Sequence, residues 1–252
     1  MKGLDGKTCL ITGGAGSIGM ATARLFLEHG ARVMIVDLDQ AVVDAAVAAL
    51  AHPHASGVAA DVGDAVQTQR FVEATVERFD KIDVVFANAG IFGSVAPVTD
   101  YPDDVFDRVM RVAVRGSFLT CKHAIPHMRD GGSIVLMSSV MGLMADPGVA
   151  AYAVSKHAVV GLMRVLAKEL APRHIRVNTI HPGPVANAFQ TSIERSLDTV
   201  LNTDATAFLD NVIPLHRHAD PVEVANGVLY LSSSMSSFVT GTSLPVDGGM
   251  RG

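Results

Sequence analysis

The sequence predicts an α/β fold: a single domain over residues 1–252, with a doubly wound, mainly parallel sheet of about seven strands and helices on both faces. Short apolar runs alternate with longer helical segments along the chain, an order typical of parallel strands joined by right-handed crossovers. Hydrophobic residues make up 49% of the chain and aromatic residues only 5%, so the core is mostly aliphatic, as strands buried on both faces require. A chain of 252 residues is long enough to bury such a core.

The first predicted unit is a strand, a glycine-rich turn, a helix and a second strand. These elements cover residues 7–12, the sequence GGAGSIG, residues 20–30 and residues 31–36. Gly14, Gly16 and Gly19 have the spacing G-x-G-x-x-G, which lets a pyrophosphate approach the backbone at the N-terminus of the helix. Asp37 follows the second strand, where its carboxylate would accept hydrogen bonds from ribose hydroxyls and repel a 2′-phosphate. The unit therefore favours NAD over NADP, although an ordinary βαβ turn would explain the glycines alone.

Two more strand ends follow in the next part of the chain. Helices are predicted at residues 41–50 and 65–79, and strands at residues 56–60 and 82–87. Asp61 and Val62 follow the first of these strands, and the turn Asn88, Ala89 and Gly90 follows the second. Ligands of such sheets bind at the carboxyl ends of the strands, so we expect both turns near the nucleotide. Simple turn chemistry is the alternative for the second turn.

The second half of the chain continues the alternation. Helices are predicted for most of residues 103–128 and for residues 221–231, and strands from Gly131-Gly132 to the serine pair and at residues 173–180 and 242–247. Residues 188–212 are amphipathic and suited to a lid over the site. The sequence HPGP from His181 ends the strand before the lid, because proline and glycine interrupt a strand.

The stretch from Ser139 to Lys156 holds the residues best suited to catalysis. Tyr152 and Lys156 are four residues apart in a helical pattern and therefore share one face of the helix. A phenol with a pKa of about 10 is a poor base at neutral pH, but an adjacent cation favours the phenolate. Ser139 follows a buried strand, so we expect its hydroxyl at the carboxyl end of the sheet. These three residues are the catalytic candidates.

Composition excludes several other classes of protein. The net charge of -5, with scattered lysines and arginines, gives no footprint for nucleic acid. No run approaches the roughly 18 apolar residues of a membrane span, and the N-terminus lacks the features of a signal peptide, so we expect a cytoplasmic protein. His123 and His127 are four residues apart, but Pro126 interrupts the helix and no third ligand is apparent, so we expect no metal.

Taken together, the motifs resemble those of the classical short-chain dehydrogenase/reductase family over essentially the whole chain. The matching pieces are TGGAGSIG from Thr12, Asp61-Val62, NAG from Asn88, Ser138-Ser139, YAVSK from Tyr152, HPGPV from His181, and PVDGG near the end. In that family the serine orients the substrate oxygen, the tyrosine transfers the proton, and the lysine lowers the pKa of the tyrosine and holds the nicotinamide ribose. The resemblance implies those roles for Ser139, Tyr152 and Lys156.

The motifs and the resemblance together assign a set of residues to the cofactor. They are Gly13, Gly16, Ser17, Ile18, Gly19, Asp37, Asp61, Val62, Asn88, Ala89, Gly90, Tyr152, Lys156, Pro182, Gly183, Val185 and Asn187. Asn187 stands where the family often has threonine, and its amide can still form a hydrogen bond. Ser17 replaces a glycine of the usual turn, and we expect so small a residue to preserve binding.

Ala113 is the more serious departure from the family pattern. It replaces an asparagine that in the family positions a water linking the lysine to a proton relay, a role that alanine cannot fill. We expect Ala113 to lower turnover or to disturb the helix locally, while leaving cofactor binding intact.

The reaction implied is reversible, NAD-dependent oxidation of a secondary alcohol to its ketone. Apolar residues near the site, Phe92, Met141, Leu143, Met144 and Phe189, with Ile91 and Phe208, favour a hydrophobic substrate. An NADPH-dependent carbonyl reductase and a nucleotide-binding sensor or scaffold that lost turnover are the alternatives. The family pattern also suggests a homotetramer or homodimer.

Overall fold

The computed structural model describes residues 3–201 and 204–252, and seven parallel strands form its single sheet. The strands are β1 (Thr8–Thr12), β2 (Arg32–Asp37), β3 (Ala55–Ala59), β4 (Ile82–Ala87), β5 (Met128–Met137), β6 (Arg176–Pro182) and β7 (Ser243–Val246). Their order is β3-β2-β1-β4-β5-β6-β7, and every pairing is parallel. The predicted fold class is therefore confirmed, including the number of strands.

The helices divide between the two faces of the sheet. They are α1 (Ser17–Glu28), α2 (Gln40–Leu50), α3 (Ala65–Phe79), α4 (Asp103–Val109), α5 (Gly116–Ala124), α6 (Ala150–Glu169), α7 (Ala188–Leu201), α8 (Ala205–Val212) and α9 (Pro221–Ser232). One core cluster joins α1, α2 and α9 to the sheet, and a second joins α3, α5 and α6 to the opposite face. Phe26 of α1 and Phe71 of α3 are fully buried on these two faces, and burying each side chain is worth about 1.5–3 kcal/mol.

The order of the strands reverses between β1 and β4. Strands that precede β4 in the chain extend to one edge of the sheet, and those that follow extend to the other edge. A crevice therefore opens above the carboxyl ends of β1 and β4, the usual ligand position in such sheets. The hydroxyl oxygen of Thr12 fixes this crevice, accepting hydrogen bonds from the backbone amides of Asn88 (3.1 Å) and Ala89 (3.2 Å).

Several predicted elements have other bounds than the observed ones, and three of the differences have a structural reason. The helical stretch at residues 103–128 is interrupted by a π-helix at Met110–Arg115, which separates α4 from α5. The segment at residues 188–212, predicted to be suited to a lid, consists of two helices, α7 and α8, and its residues 202–203 lie outside the described part of the chain. Strand β6 begins at Arg176 because a 3₁₀ turn at Ala171–Arg173 and the left-handed conformation of His174 (φ 54°) precede it.

Candidate active site

A cavity of about 490 Å³ lies at the carboxyl edge of the sheet. It is lined by every residue assigned to the cofactor except Gly19, and by Ser139. Of the residues assigned to the substrate, Phe92, Met141 and Phe189 line it, whereas Leu143 and Met144 do not. A 3₁₀ turn at Val140–Gly142 precedes these last two residues. The structure thus brings together side chains that are far apart in sequence.

The glycine-rich turn presents backbone to this cavity. Gly16 is the N-cap of α1 and has no side-chain cap, and the first amides of a helix have no partner within the helix. A Cβ on Gly16 would find its nearest neighbour at 3.4 Å, so the surface there is open. A Cβ on Gly19 would instead lie 2.3 Å from the carbonyl oxygen of Gly13, which explains why Gly19 packs α1 against the turn and does not line the cavity. This arrangement fits a pyrophosphate group.

Asp37 ends β2 beside this turn. One carboxylate oxygen accepts a hydrogen bond from the amide of Ala15 (3.1 Å), and the other accepts one from the amide of Leu38 (2.8 Å). These two bonds orient the carboxylate, which lines the cavity at the end where an adenosine ribose would lie if the pyrophosphate occupied the turn. The residues present therefore fit a nicotinamide dinucleotide.

Asp61 lies on the same side of the cavity and forms an ion pair with Arg111. The other carboxylate oxygen of Asp61 accepts a hydrogen bond from the amide of Gly63 (2.8 Å). Arg111 was not identified from the sequence, because the two partners are separated by 50 positions and no local pattern connects them.

Ser139, Tyr152 and Lys156 meet in the cavity. Ser139 follows β5 in an extended conformation, and its hydroxyl oxygen accepts a hydrogen bond from the amide of Met141 (3.2 Å). Tyr152 and Lys156 lie in the first two turns of α6, and the Nζ atom of Lys156 is 5.3 Å from the centre of the Tyr152 ring. The Lys156 ammonium also donates a hydrogen bond to the carbonyl of Met137 at the end of β5 (3.1 Å), which ties α6 to the sheet.

The pKa of the Tyr152 phenol differs in direction from the sequence-based expectation. Burial raises this pKa above 10, and a hydrogen bond with Ser139 only partly opposes the rise. Burial lowers the pKa of Lys156 to about 8, so a smaller fraction of this lysine carries the positive charge that is expected to favour the phenolate. The expected lowering of the phenol pKa by Lys156 is therefore not found in the structure, and at neutral pH the phenol is a proton donor.

Comparisons with known proteins identify the family. A family model described as "Enoyl-(Acyl carrier protein) reductase" matches residues 13–251. Short-chain dehydrogenase reductase 5 of Arabidopsis thaliana is 38% identical over 250 residues, which cover 98% of this chain and 95% of that protein. The chain belongs to the short-chain dehydrogenase/reductase family.

Solved structures agree with this family. Levodione reductase superposes with a TM-score of 0.94 at 34% identity, covering 98% of each chain. NAD+-bound xylitol dehydrogenase has a TM-score of 0.91 at 34% identity and covers 98% of this chain and 99% of that one. A blue fluorescent protein from a metagenomic library, in complex with NADPH, has a TM-score of 0.90 at 32% identity and covers both chains completely. The neighbours of this short-chain dehydrogenase/reductase thus include complexes with either nicotinamide cofactor.

Ala113 lies at the centre of the π-helix and is buried. The π-helix packs against α6, which holds Tyr152 and Lys156, and such local irregularities are frequent at functional sites. The Ala113 carbonyl accepts a hydrogen bond from the hydroxyl of Ser117 (2.7 Å). The helix is therefore irregular at this position, and its main-chain acceptor is already in use.

We expect Ala113→Asn to raise kcat, by several-fold, because an amide beside α6 would restore the polar group that the family uses in proton transfer. Steady-state kinetics with the preferred substrate would measure the change. Ala113→Leu is the matched control, since leucine has about the size of asparagine without its hydrogen-bonding groups. Equal kinetics for the wild type and the Ala113→Asn variant, at equal thermal stability, would contradict the expectation.

The lid contributes residues that the sequence reasoning missed. Ile193, Leu197 and Leu209 line the cavity along with Asp146, Gln190 and Met250. Phe189, Ile193 and Leu197 recur every four residues on α7, a signal that could have identified them. Phe208, in contrast, is 51% exposed and does not line the cavity.

A half-buried histidine, His218, connects α7 and α8 to the loop that follows them. One ring nitrogen of His218 is 2.6 Å from a carboxylate oxygen of Glu194 on α7, and the other is 2.7 Å from one of Asp210 on α8. Thr206 donates a hydrogen bond to the second carboxylate oxygen of Glu194 (2.8 Å). These bonds hold α7 and α8 together over the cavity.

Within residues 3–201 and 204–252, no group of three or more His, Cys, Asp or Glu side chains could hold a metal ion. Over the same residues no helix is both long and apolar enough to cross a membrane.

Proposed function

We propose that this protein is an NAD-dependent alcohol dehydrogenase/ketone reductase that interconverts a hydrophobic secondary alcohol and its ketone. The observation that carries the proposal is that Ser139 and Tyr152 line the same cavity as Asp37 and the glycine-rich turn. A nucleotide seated on that turn would extend toward the tyrosine, since both lie at the carboxyl edge of one sheet. Membership of the family supports an oxidoreductase. The proposals for the cofactor and the substrate class are based on the residues that line the cavity.

Each side chain of the trio has a distinct role in this proposal. The Ser139 hydroxyl donates a hydrogen bond to the substrate oxygen and holds it beside Tyr152. In ketone reduction the phenol gives its proton to the carbonyl oxygen, and in alcohol oxidation the phenolate takes the hydroxyl proton. Lys156 stabilises the phenolate when protonated and is positioned to bind the nicotinamide ribose. A bound NAD would supply the acceptor for a hydride from the carbinol carbon, and a bound NADH would supply the hydride for the reverse reaction.

NAD is favoured because of Asp37. An oriented carboxylate at the end of β2 can accept hydrogen bonds from ribose hydroxyls, and it repels a phosphate at the same position. The NADPH-dependent carbonyl reductase remains an alternative because a structural neighbour is complexed with NADPH. The sensor or scaffold is disfavoured because the catalytic trio is intact, and Ala113 is its only support.

A hydrophobic substrate is favoured by the walls of the cavity. Ile91, Phe92, Val149 and Ile193 line it and are apolar, and Asp146 lines it as well. The negative charge of Asp146 disfavours a carboxylate substrate, and a polyol would leave hydroxyls against apolar side chains, which costs free energy. The names of two structural neighbours, levodione reductase and xylitol dehydrogenase, refer to the substrates of those proteins.

The test is an NADH absorbance assay on a panel of secondary alcohols and ketones, with NAD and NADP in parallel. We expect kcat/KM for apolar alcohols to exceed that for polyols and hydroxy acids by at least about tenfold, since each buried methylene contributes about 0.8 kcal/mol. Turnover of charged substrates alone would contradict the substrate class, and a preference for NADP would favour the carbonyl reductase. Cofactor binding without any turnover would favour the sensor.

We also propose a homotetramer, with a homodimer as the alternative. Met235 and Phe238 are 60% and 103% exposed just after α9, and Val222 is 49% exposed at its start. Large exposed apolar patches are typical of surfaces that an assembly covers, and these side chains would contribute to such a patch. Light scattering of the purified protein should give a mass of about four chains, and a monomer would contradict the assembly.

A cytoplasmic location is proposed because both cysteines, Cys9 and Cys121, are free and buried.

A further inference from the structure

His181 is fully buried directly behind Ser139, at the end of β6. The ladder between β5 and β6 ends at the pair Met137 and Ile180, and one further hydrogen bond joins the amide of Ser138 to the carbonyl of Ile180 (2.9 Å). Beyond that point the backbones separate. The His181 side chain continues the connection, with its Nδ1 atom 2.7 Å from the carbonyl oxygen of Ser139.

The hydrogen bonds around the ring define its tautomer. A carbonyl oxygen can only accept, so Nδ1 must carry a proton and donate it to Ser139. The Nε2 atom is 2.8 Å from the hydroxyl oxygen of Thr179, which can donate to it. The Thr179 hydroxyl in turn lies 3.2 Å from that of Ser243 on β7, which can donate to Thr179. With a neutral ring, every hydrogen bond in the series from Ser243 through Thr179 and His181 to Ser139 therefore has a donor and an acceptor.

A charged ring would fit these partners less well. With both nitrogens protonated, Thr179 would have to accept from Nε2 and turn its own proton to the carbonyl of Thr242, which is 3.4 Å away. Burial lowers the pKa of His181 to about 4; the hydrogen bond to Ser139 opposes this, and the charges of Arg251, Lys156 and His157 reinforce it. The ring is therefore neutral at neutral pH.

We propose that His181 is a positioning residue for the reaction: as the Nδ1–H tautomer that the Ser139 carbonyl requires, anchored at Nε2 by Thr179, it holds the main chain of Ser139 and so fixes where the serine hydroxyl points. The Ser139 carbonyl has a second donor, the amide of Gly142 (2.9 Å), which closes the following turn but does not connect the serine to the sheet. Without His181 the turn would persist while the serine shifted relative to Tyr152. A shift of about 1 Å at such a residue can lower the rate about 100-fold.

The inference rests on the proposed function for its kinetic part, and the first test is therefore kinetic. His181→Ala should lower kcat about 10- to 100-fold with a change of less than about threefold in KM, because orientation is lost while the walls of the cavity remain. His181→Asn should recover kcat to within about fivefold of the wild type, since its amide nitrogen can donate in place of Nδ1. His157→Ala is the matched control: its Nδ1 likewise contacts a main-chain carbonyl, that of Ala153 at 2.9 Å, but His157 is exposed on α6.

The second test does not depend on activity. In protein labelled with ¹⁵N-histidine, the signal of His181 is the one of ten that His181→Asn removes, and its ring correlations should show the Nδ1–H tautomer at neutral pH. Thr179→Val, which keeps the shape and removes the hydroxyl at Nε2, should keep the Nδ1–H tautomer, because the Ser139 carbonyl still accepts from Nδ1, and should lower kcat, because the ring loses one of its two anchors. These measurements decide the question even if His181→Ala does not fold.

An Nε2–H tautomer in the wild type would overturn the inference, as would full activity of His181→Ala or an asparagine variant no more active than the alanine variant. Absence of turnover in the wild type with every alcohol and ketone would instead refute the proposed function, and the tautomer would still test the contact between His181 and Ser139.

Discussion

Tyr152→Phe should lower kcat/KM by about 10³-fold or more, which corresponds to about 4 kcal/mol of transition-state stabilisation. The substitution removes one oxygen atom and leaves the ring, which packs against Phe92 with ring centres 5.2 Å apart. The packing of α6 is therefore preserved while the proton donor is lost. Steady-state kinetics in both directions, with NADH binding followed by fluorescence titration, would measure the effect.

Cofactor binding should change by less than about threefold, because Asp37 and the glycine-rich turn are untouched and most phosphate recognition uses backbone amides. Tyr230→Phe is the matched control: it removes the same atom from a tyrosine on α9, and Tyr230 does not line the cavity. Its kinetics should remain within about twofold of the wild type, the size of an ordinary surface effect. Retained activity in Tyr152→Phe would remove the tyrosine from the mechanism.

The pH dependence of the wild type should reflect the raised pKa of the phenol. Below that pKa the neutral phenol predominates, so the form needed for ketone reduction is present throughout the neutral range. The phenolate needed for alcohol oxidation increases about tenfold per pH unit as the pH rises toward the pKa, so kcat/KM for oxidation should rise between about pH 6 and 8. The rise ends where Lys156, with its pKa of about 8, loses its charge. A flat oxidation profile would contradict this assignment.

Local patterns in the sequence were sufficient for the fold and for most of the cavity. Gly16 and Asp37 are placed by the strand, turn, helix and strand of one unit, and Tyr152 and Lys156 by the geometry of a single helix. Both predictions need only the spacing of residues that are close together in the chain. The parallel sheet then follows from the alternation of elements, because a right-handed crossover allows few topologies.

Features that depend on distant contacts or on the hydrogen-bond register of the backbone could not be predicted. A local disturbance of the helix at Ala113 was one expectation, but its form, a π-helix, has no signature in the sequence, since a π-helix differs from an α-helix only in which carbonyl each amide bonds. Leu143 and Met144 were placed in the pocket because they follow Ser139, yet the intervening turn directs the chain elsewhere. The raised pKa of Tyr152 depends on burial by the assembled cavity, which no helical spacing reveals.

Asp37→Asn should lower the preference for NAD over NADP, expressed as a ratio of kcat/KM values, by about 100-fold or more. Two effects combine. Hydrogen bonds to a charged acceptor are worth about 1.5–3 kcal/mol, so NAD loses affinity. Two like charges about 5 Å apart repel by about 3 kcal/mol at an effective dielectric constant of about 20, so neutralising the carboxylate removes a penalty on NADP.

The asparagine also weakens the orientation of the side chain. The carboxylate accepts hydrogen bonds from the backbone amides of Ala15 and Leu38. The NH₂ group of asparagine cannot accept, so one of these two bonds would be lost. Asp39→Asn is the matched control: Asp39 lies two residues further on, caps α2 by accepting from the amide of Val42 (3.0 Å), and does not line the cavity. Because asparagine is an equally good N-cap, this variant should keep both stability and cofactor preference. If Asp37→Asn leaves the ratio unchanged, discrimination must come from another side chain, and the proposed position of the adenosine ribose is wrong.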